Sequence, residues 1–482
     1  MFTELINFFN IAVMGADETR KKTKSGGGED MAARKKTHIV CNYGGAVAIG
    51  MNAINILSPC GGETWSAGSK HVVMWSAPTN NAATMVRISG SFDGGRTWSE
   101  LASVVSNTGK WQWCVPETVS AQCRLRINDH ADTISGESQS DFAIIPSQQV
   151  TDYQWVQVNG KAEFAPRDGA GALVFKDKMW LLGGWNPNSN EKAHFPRTCN
   201  NEVWSSRDGV SWQLEKENSF LDKAFDPASD WEGRHTAGYV VYKDKMWIIG
   251  GDPIQGHYQD DVWNSADGKK WNYVNKDHKA PWGPRVLHHT LVFNDKVWVM
   301  GGQTLPPFAP AEEMFYNDIW NTSDGINWTK VTAKEPIWSP RGMIGGSVVF
   351  RDRMWILGGG TYDTPNVRAR KFYNDVWSSK DGINWELHVE CAPWHPRQYH
   401  DVAVYDNKMW VMEGGNTNTK PFNRNDVWYS SDGLNWYEVP GTPWKIRHAA
   451  SVFVHAGALW MVAGNNMESD VWKLQRASAV KR

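Results

Sequence analysis

The chain has 482 residues, room for two to four domains at about 100–200 residues each. Its 50 Lys and Arg against 52 Asp and Glu leave a net charge of −2, which excludes any general attraction to nucleic acid or to an anionic membrane. Aromatic residues make up 12%, with 29 Trp and 44 Gly, a composition that excludes a disordered or coiled-coil protein and fits a β-rich one.

Residues 1–53 read as a disordered or targeting segment. Residues 1–14 are apolar, and a basic run follows at Arg20, Lys21, Lys22 and Lys24. A second basic cluster, Arg34 to Lys36, comes after Met31, and a weakly apolar stretch runs from Ile39 to Ala53. Translation from Met31 would make this a secretory signal, whereas a misplaced start would leave a disordered tail. No stretch approaches the roughly 18 apolar residues of a membrane helix, so no integral membrane segment is expected.

Residues 54–146 alternate in short apolar runs: Ile54/Ile56, Val72/Met74, Val86/Ile88, Trp111/Trp113, Leu125/Ile127 and Phe142/Ile144. Gly, Pro and Asn separate them, the pattern of a β-sandwich. The alternation turns Cys114 outward and Cys123 inward, which argues against a disulfide between them.

Residues 152–477 repeat. An apolar run, a short polar turn, a Trp and a Gly pair recur six times, centred on Trp180, Trp247, Trp298, Trp355, Trp410 and Trp460. Each copy is followed by N-E-V-W, D-D-V-W, N-D-I-W or a close variant, ending at Trp204, Trp263, Trp320, Trp377, Trp428 and Trp472. Five copies continue into D-G-x-x-W, where the Asp-Gly pair signals a hairpin. Each repeat therefore reads as four short strands, with a period of roughly 50 residues. The sixth lacks its outer strand, and Tyr153–Val158 resembles the missing piece. The spacing predicts that this first strand closes the last sheet and leaves no open edge in a ring.

These repeats resemble the kelch-repeat family over about two thirds of the chain. The resemblance implies an all-β protein containing a six-bladed kelch-type β-propeller. The stretches I-N-I-L-S-P-C-G-G-E-T-W and N-T-G-K-W-Q-W-C-V-P resemble an immunoglobulin-like module of bacterial secreted and surface proteins. That resemblance implies an N-terminal immunoglobulin-like β-sandwich used as a spacer, and an extracellular or cell-surface location. A cytoplasmic adaptor is the alternative, since kelch propellers also serve there. Ser91-x-Asp93-x-Gly95-x-Thr97-Trp98 matches an Asp-box, a structural hairpin.

In a blade both tight turns fall on one face, and the long links fall on the other, where function is expected. Each interblade link carries an aromatic residue, two residues and an Arg: Phe164/Arg167, Trp231/Arg234, Trp282/Arg285, Trp338/Arg341, Trp394/Arg397 and Trp444/Arg447. The spacing predicts six guanidinium groups at one channel mouth, suited to an acidic ligand, with aromatic faces beside them. A scaffold role, with Arg bonded to backbone carbonyls and Trp packed between blades, is the competing reading. The first position after the Arg holds Asp168, His235 and His448, and the third holds His288 and His400, so these side chains are expected to share a strand face and look into the channel.

The sequence carries no nucleophile elbow, phosphate loop or dinucleotide fingerprint. No catalytic residue, metal or cofactor is therefore assigned. The expected function is non-catalytic binding of a glycan or protein ligand with acidic groups, without nucleic acid. Kelch enzymes resembling galactose oxidase, suggested by Arg397-Gln398-Tyr399-His400, or a sialic acid mutarotase supply the alternative of a carbohydrate-active enzyme.

Overall fold

The computed structural model describes residues 54–67, 69–76, 84–116, 118–145, 153–188, 198–220, 224–254, 257–304, 314–342, 346–361 and 371–476. The segment at 1–53, with its targeting signal or tail, lies outside them. The chain divides into two compact units, one ending at Pro146 and one starting at Ser147. Among the described residues every regular element is a strand.

The first unit has two sheets over one core. One sheet orders Asn55–Ser58, Lys70–Ser76 and Lys110–Cys114; the other contains Thr64–Ser66, Phe142–Ile145, Ser120–Asp129, Met85–Ser91 and Ser99–Ser106. Ile56, Val73, Trp75 and Trp113 from the first meet Val86, Ile88, Leu125, Ile127 and Phe142 from the second. Cys123 is buried in that core, and Cys114 is exposed. The Asp93 carboxylate accepts the backbone N–H of Arg96 and Thr97 at 3.0 and 2.9 Å and the Thr97 hydroxyl at 2.6 Å, so it fastens its own turn.

The second unit contains six four-stranded sheets. Five take their strands in chain order, as in Gly171–Phe175, Lys178–Leu182, Val203–Ser206 and Gln213–Lys216. The sixth takes Ser451–His455, Ala458–Val462 and Val471–Arg476, then adds Tyr153–Asn159 outside them. The innermost strands pack in a closed cycle, from Gly171–Phe175 through Gly238–Tyr242, His289–Phe293, Ser347–Phe350, Asp401–Tyr405 and Ser451–His455 back to the first. This is a β-propeller, and its tight-turn face is built of two-residue turns such as Lys243-Asp244, with both residues at positive φ.

The recurring tryptophans explain how neighbouring sheets fit. Each central indole donates to the carbonyl five residues earlier, as Trp355 does to Phe350 at 2.9 Å. The Asp-Gly glycine of the next sheet then seats on that indole: a Cβ on Gly433 would lie 2.3 Å from the Trp355 ring. The contact also joins the last sheet to the first, where Gly209 meets Trp460. Trp410 meets no such turn, and Tyr153 of the closing strand packs edge-on against it, with ring centroids 4.9 Å apart.

A pair of variants separates packing from backbone strain here. Gly433 and Gly441 both have left-handed φ, +79° and +71°, but a Cβ on Gly441 meets nothing within 4 Å. Gly433→Ala is expected to cost about 2–4 kcal/mol in denaturant unfolding, and Gly441→Ala only about 1 kcal/mol. Equal losses would show that the Trp355 contact contributes nothing.

Candidate ligand site at the axis

The six arginines do not line a channel mouth. Arg167, Arg234, Arg285, Arg341, Arg397 and Arg447 are 0–1% exposed. Each donates to the backbone carbonyl at the first position of the Gly pair: Gly183, Gly250, Gly301, Gly358, Glu413 and Ala463, at 2.6–3.1 Å. Each also pairs with an acid two residues before a tryptophan: Glu202, Asp261, Asp318, Asp375, Asp426 and Asp470. The Nε1 of that Trp donates to the same carboxylate. The N-D-V-W motif is thus the acceptor half of an arginine lock, and these arginines have no charge to spare for an acidic ligand.

The flanking aromatics are buried too. Phe164, Trp231, Trp282, Trp338, Trp394 and Trp444 are at most 2% exposed. Each meets the outer-strand Trp of its own sheet edge-on, at centroid distances of 5.1–6.1 Å. In the sixth sheet that partner is Trp155, from the closing strand. They are packing residues and offer no stacking platform.

His288 and His400 are also internal. Burial pushes both imidazoles down to about 3, which leaves them neutral at physiological pH. His400 bonds the Leu357 carbonyl through Nε2 at 2.8 Å. A Cβ on Gly238 would lie 2.9 Å from His288 Nε2, and one on Gly346 3.3 Å from His400 Nε2. The two rings therefore fill space beside a glycine of the preceding sheet. Among the described residues no three His, Cys, Asp or Glu side chains gather as metal ligands.

The physical reason lies one residue after five of the six Arg-x pairs, the sixth such position falling outside the described residues. Gly169, Thr236, Leu287, Tyr399 and Ala449 all have φ between +51° and +59°. The chain reverses there, so the first and third positions after Arg do not share a strand face. These reversal residues bond to one another: Gly169 N–H to Ala449 O, Thr236 N–H to Gly169 O, Leu287 N–H to Thr236 O and Ala449 N–H to Tyr399 O, at 2.7–3.3 Å. Backbone thus rims the axis, with Leu287, Tyr399, Val286, Tyr258 and Ala449 forming an apolar cluster on it.

Side chains at the surrounding rim come from the position after Arg and the position after the Gly pair, which bridge each other as Asp168–Trp185 and His235–Asp252 do. Three consecutive sheets make one polar sector from these residues. Asn465, hydrogen-bonded through its backbone to His448, completes it from the last sheet. His235 stands between two carboxylates, with Nδ1 3.4 Å from Asp252 Oδ1 and Nε2 3.6 Å from Asp168 Oδ1. His448 Nδ1 lies 2.7 Å from Asn423 Oδ1, and Asn423 Nδ2 donates to Asn465 Oδ1 at 2.9 Å. The half-buried Trp185 ring lies 6.2 Å from the His235 ring. The rest of the rim is neutral: Val286, Gln303, Gly342, Gly360, Gln398 and Gly415.

Burial lifts Asp168 to about 6, against the pull of His235. Burial opposes the His235 imidazolium, but its contact with Asp252 and the charges of Asp252 and Asp168 outweigh that and raise it. Asp168, His235 and His448 stood out in the sequence by position; Asp252, Asn465, Asn423 and Trp185 did not. The signal for Trp185, Asp252 and Asn465 was the changing residue after an otherwise repeated Gly pair, and nothing marked Asn423.

No family model matches the chain. In sequence it is similar to the leucine-zipper-like transcriptional regulator 1 homolog of Drosophila melanogaster, 28% identical over 188 residues, 38% of this chain and 18% of the relative. Host cell factor 2 of Homo sapiens is 20% identical over 308 residues, 58% and 35% of the two chains. Kelch repeat-containing protein 2 of Saccharomyces cerevisiae is 27% identical over 202 residues, 38% and 21%. The chain thus spans about a third or less of these relatives. Among solved structures it is similar to YjhT, with 15% identity, a TM-score of 0.44, and coverage of 65% of this chain and 93% of that one. The repeats of the second unit are of kelch type.

Proposed function

We propose that the second unit is a six-bladed kelch propeller, that the first is an immunoglobulin-like spacer, and that the chain is a non-catalytic binding protein acting outside the cell or at its surface. Its long-loop face would hold a glycan or protein ligand. One observation carries this reading: on that face positions that are equivalent between repeats diverge, gathering Asp168, Trp185, His235, Asp252 and Asn465 from three adjoining sheets into one polar sector. Repeated positions serve the scaffold, and the positions that differ between repeats are available for recognition.

The test is a screen of the full chain on glycan and protein arrays, repeated with Trp185→Ala and Asp252→Ala. Each variant is expected to weaken a true ligand by about 1–3 kcal/mol, or roughly 5–150-fold. Lys243→Ala, on the tight-turn face, should change nothing. Ligands that respond to Lys243 but not to Trp185 or Asp252 would place binding on the wrong face. Turnover of a bound sugar would replace this reading with the enzymatic one.

A further inference from the structure

We infer that the polar sector at the axis takes a cationic group, the ammonium or guanidinium of a Lys or Arg side chain on an extended protein segment. This rests on the long-loop face being the binding face, and it reverses the sign of ligand that six arginines suggest.

The charges carry the argument. Among the described residues the sector holds two carboxylates, Asp168 and Asp252, against two imidazoles, His235 and His448, and burial keeps His448 neutral. Among the described residues the neighbouring cations are spent elsewhere: Arg167 on Glu202 and Arg234 on Asp261, each also holding a glycine carbonyl. With His235 protonated the group keeps a charge of −1, and with His235 neutral −2. A low-dielectric surround makes such an excess far more attractive to a cation than the same charge in water.

Hydrogen bonding points the same way. Asp168 is 3% exposed, yet its Oδ1 accepts no hydrogen bond. His235 Nε2, at 3.6 Å, is beyond bonding length, and its other nitrogen already faces Asp252. A carboxylate oxygen buried without a donor costs free energy that an incoming N–H recovers. The ionised acid group of an acidic ligand would add a third anion and supply no donor.

The aromatic completes the chemistry. The half-buried Trp185 ring lies beside His235, and an aromatic ring next to carboxylates is the pairing that holds ammonium and guanidinium groups. His235 and Asp252 are the more open members, with side chains 19% and 10% exposed, so they meet the ligand first and Asp168 supports them from behind.

Acid should switch this site off. Among the described residues the titratable groups near Asp168 are His235, Asp252 and the Cys199 thiol, and His448 lies near His235. Asp168 loses its charge as pH falls through about 6, and His235 gains one from a raised starting point, so both changes remove negative charge. Burial keeps His448 neutral down to about 3, and burial holds the Cys199 thiol protonated, so neither opposes the trend.

Saturation-transfer NMR on the full chain tests the inference with four probes: N-acetyl-Gly-Lys-Gly-amide, its Nζ-acetylated form, N-acetyl-Gly-Glu-Gly-amide and methyl β-glucoside. The lysine peptide is expected to bind at least about tenfold more tightly than its acetylated form. It should weaken by about tenfold between about pH 8 and about pH 5.5. Asp252→Asn and Asp168→Asn should each abolish its signal, and Lys243→Ala should keep it. Thermal melts check folding, and if Asp168→Asn fails to fold, the more open Asp252→Asn decides. If the sugar or the glutamate peptide binds instead and depends on Asp252, the face stands and the cationic assignment falls. If the lysine peptide is silent or ignores Asp252 while array ligands still respond to Trp185→Ala, the cationic assignment alone falls. If array ligands also ignore Trp185, both readings fall.

Discussion

Deleting residues 1–159 is expected to leave the remaining chain aggregated or unfolded, whereas deleting residues 1–152 should leave a cooperatively melting protein. The two truncations differ only by the strand Tyr153–Asn159, which pairs from Tyr153↔Arg476 to Asn159↔Val471 along the outside of the sixth sheet. Its loss exposes a full strand edge, the feature most prone to intermolecular pairing. It also removes Tyr153 from Trp410 and Trp155 from Trp444, opening the core between the fifth and sixth sheets. A rescue follows from the other five sheets, where an Asp-Gly hairpin joins the third strand to the fourth. Moving residues 153–159 behind Arg476 through a Ser-Asp-Gly turn should restore folding with the sheet in ordinary chain order. Circular dichroism melts and gel filtration read the outcome. A 160–482 fragment that melts like the longer one would show that this strand does not close the ring.

Much of the strand arrangement was legible because it repeats. The Trp and Asp-Gly spacings located the strands, and Tyr153-Gln154-Trp155-Val156 could be matched by eye to Trp271-Asn272-Tyr273-Val274. The arginines were visible but misplaced. An Arg repeated once per blade reads the same whether it faces a ligand or a partner in its own sheet. The deciding signal was the acid two residues before each Trp, which recurs as faithfully as the Arg and carries the opposite charge. The histidines were misassigned because strand alternation was carried through a reversal. Leu287, Thr236 and Tyr399 are poor residues for positive φ, so nothing local announced the turn. Glu413 is a similar case: it sits at φ +51° where four sheets place glycine, and burial together with the Asp401 charge raises its carboxyl well above the usual range.

Asp426→Ala should be among the most damaging single substitutions in the propeller. Arg397 donates Nη1 and Nη2 to Asp426 at 2.7 and 2.6 Å, and Trp428 Nε1 donates to the same carboxylate at 2.7 Å. Removing the acid leaves a fully buried guanidinium without its counter-charge and an indole N–H without its acceptor, at a cost of about 3–5 kcal/mol. The Arg397 bonds to the Glu413 and His395 carbonyls remain but cannot neutralise the charge. Replacing both partners with apolar residues, Arg397→Met with Asp426→Leu, should unfold at higher urea than Asp426→Ala alone, since no buried charge is then left unbalanced. Acid provides an independent check. Burial alone would raise Asp426, but the Arg397 charge and the hydrogen bonds from Arg397 and Trp428 overcome it and lower the carboxyl below its ordinary value. A lowered folded-state value gives stability that is complete above about pH 4 and is lost as pH falls through the lower, folded value. The gap between wild type and Asp426→Ala should therefore be constant from neutral pH down to about 4 and narrow below it. A gap under about 1 kcal/mol at neutral pH would mean that the carbonyl cage alone holds the arginine. In that case the recurring acid would have to be explained by its bond to the tryptophan.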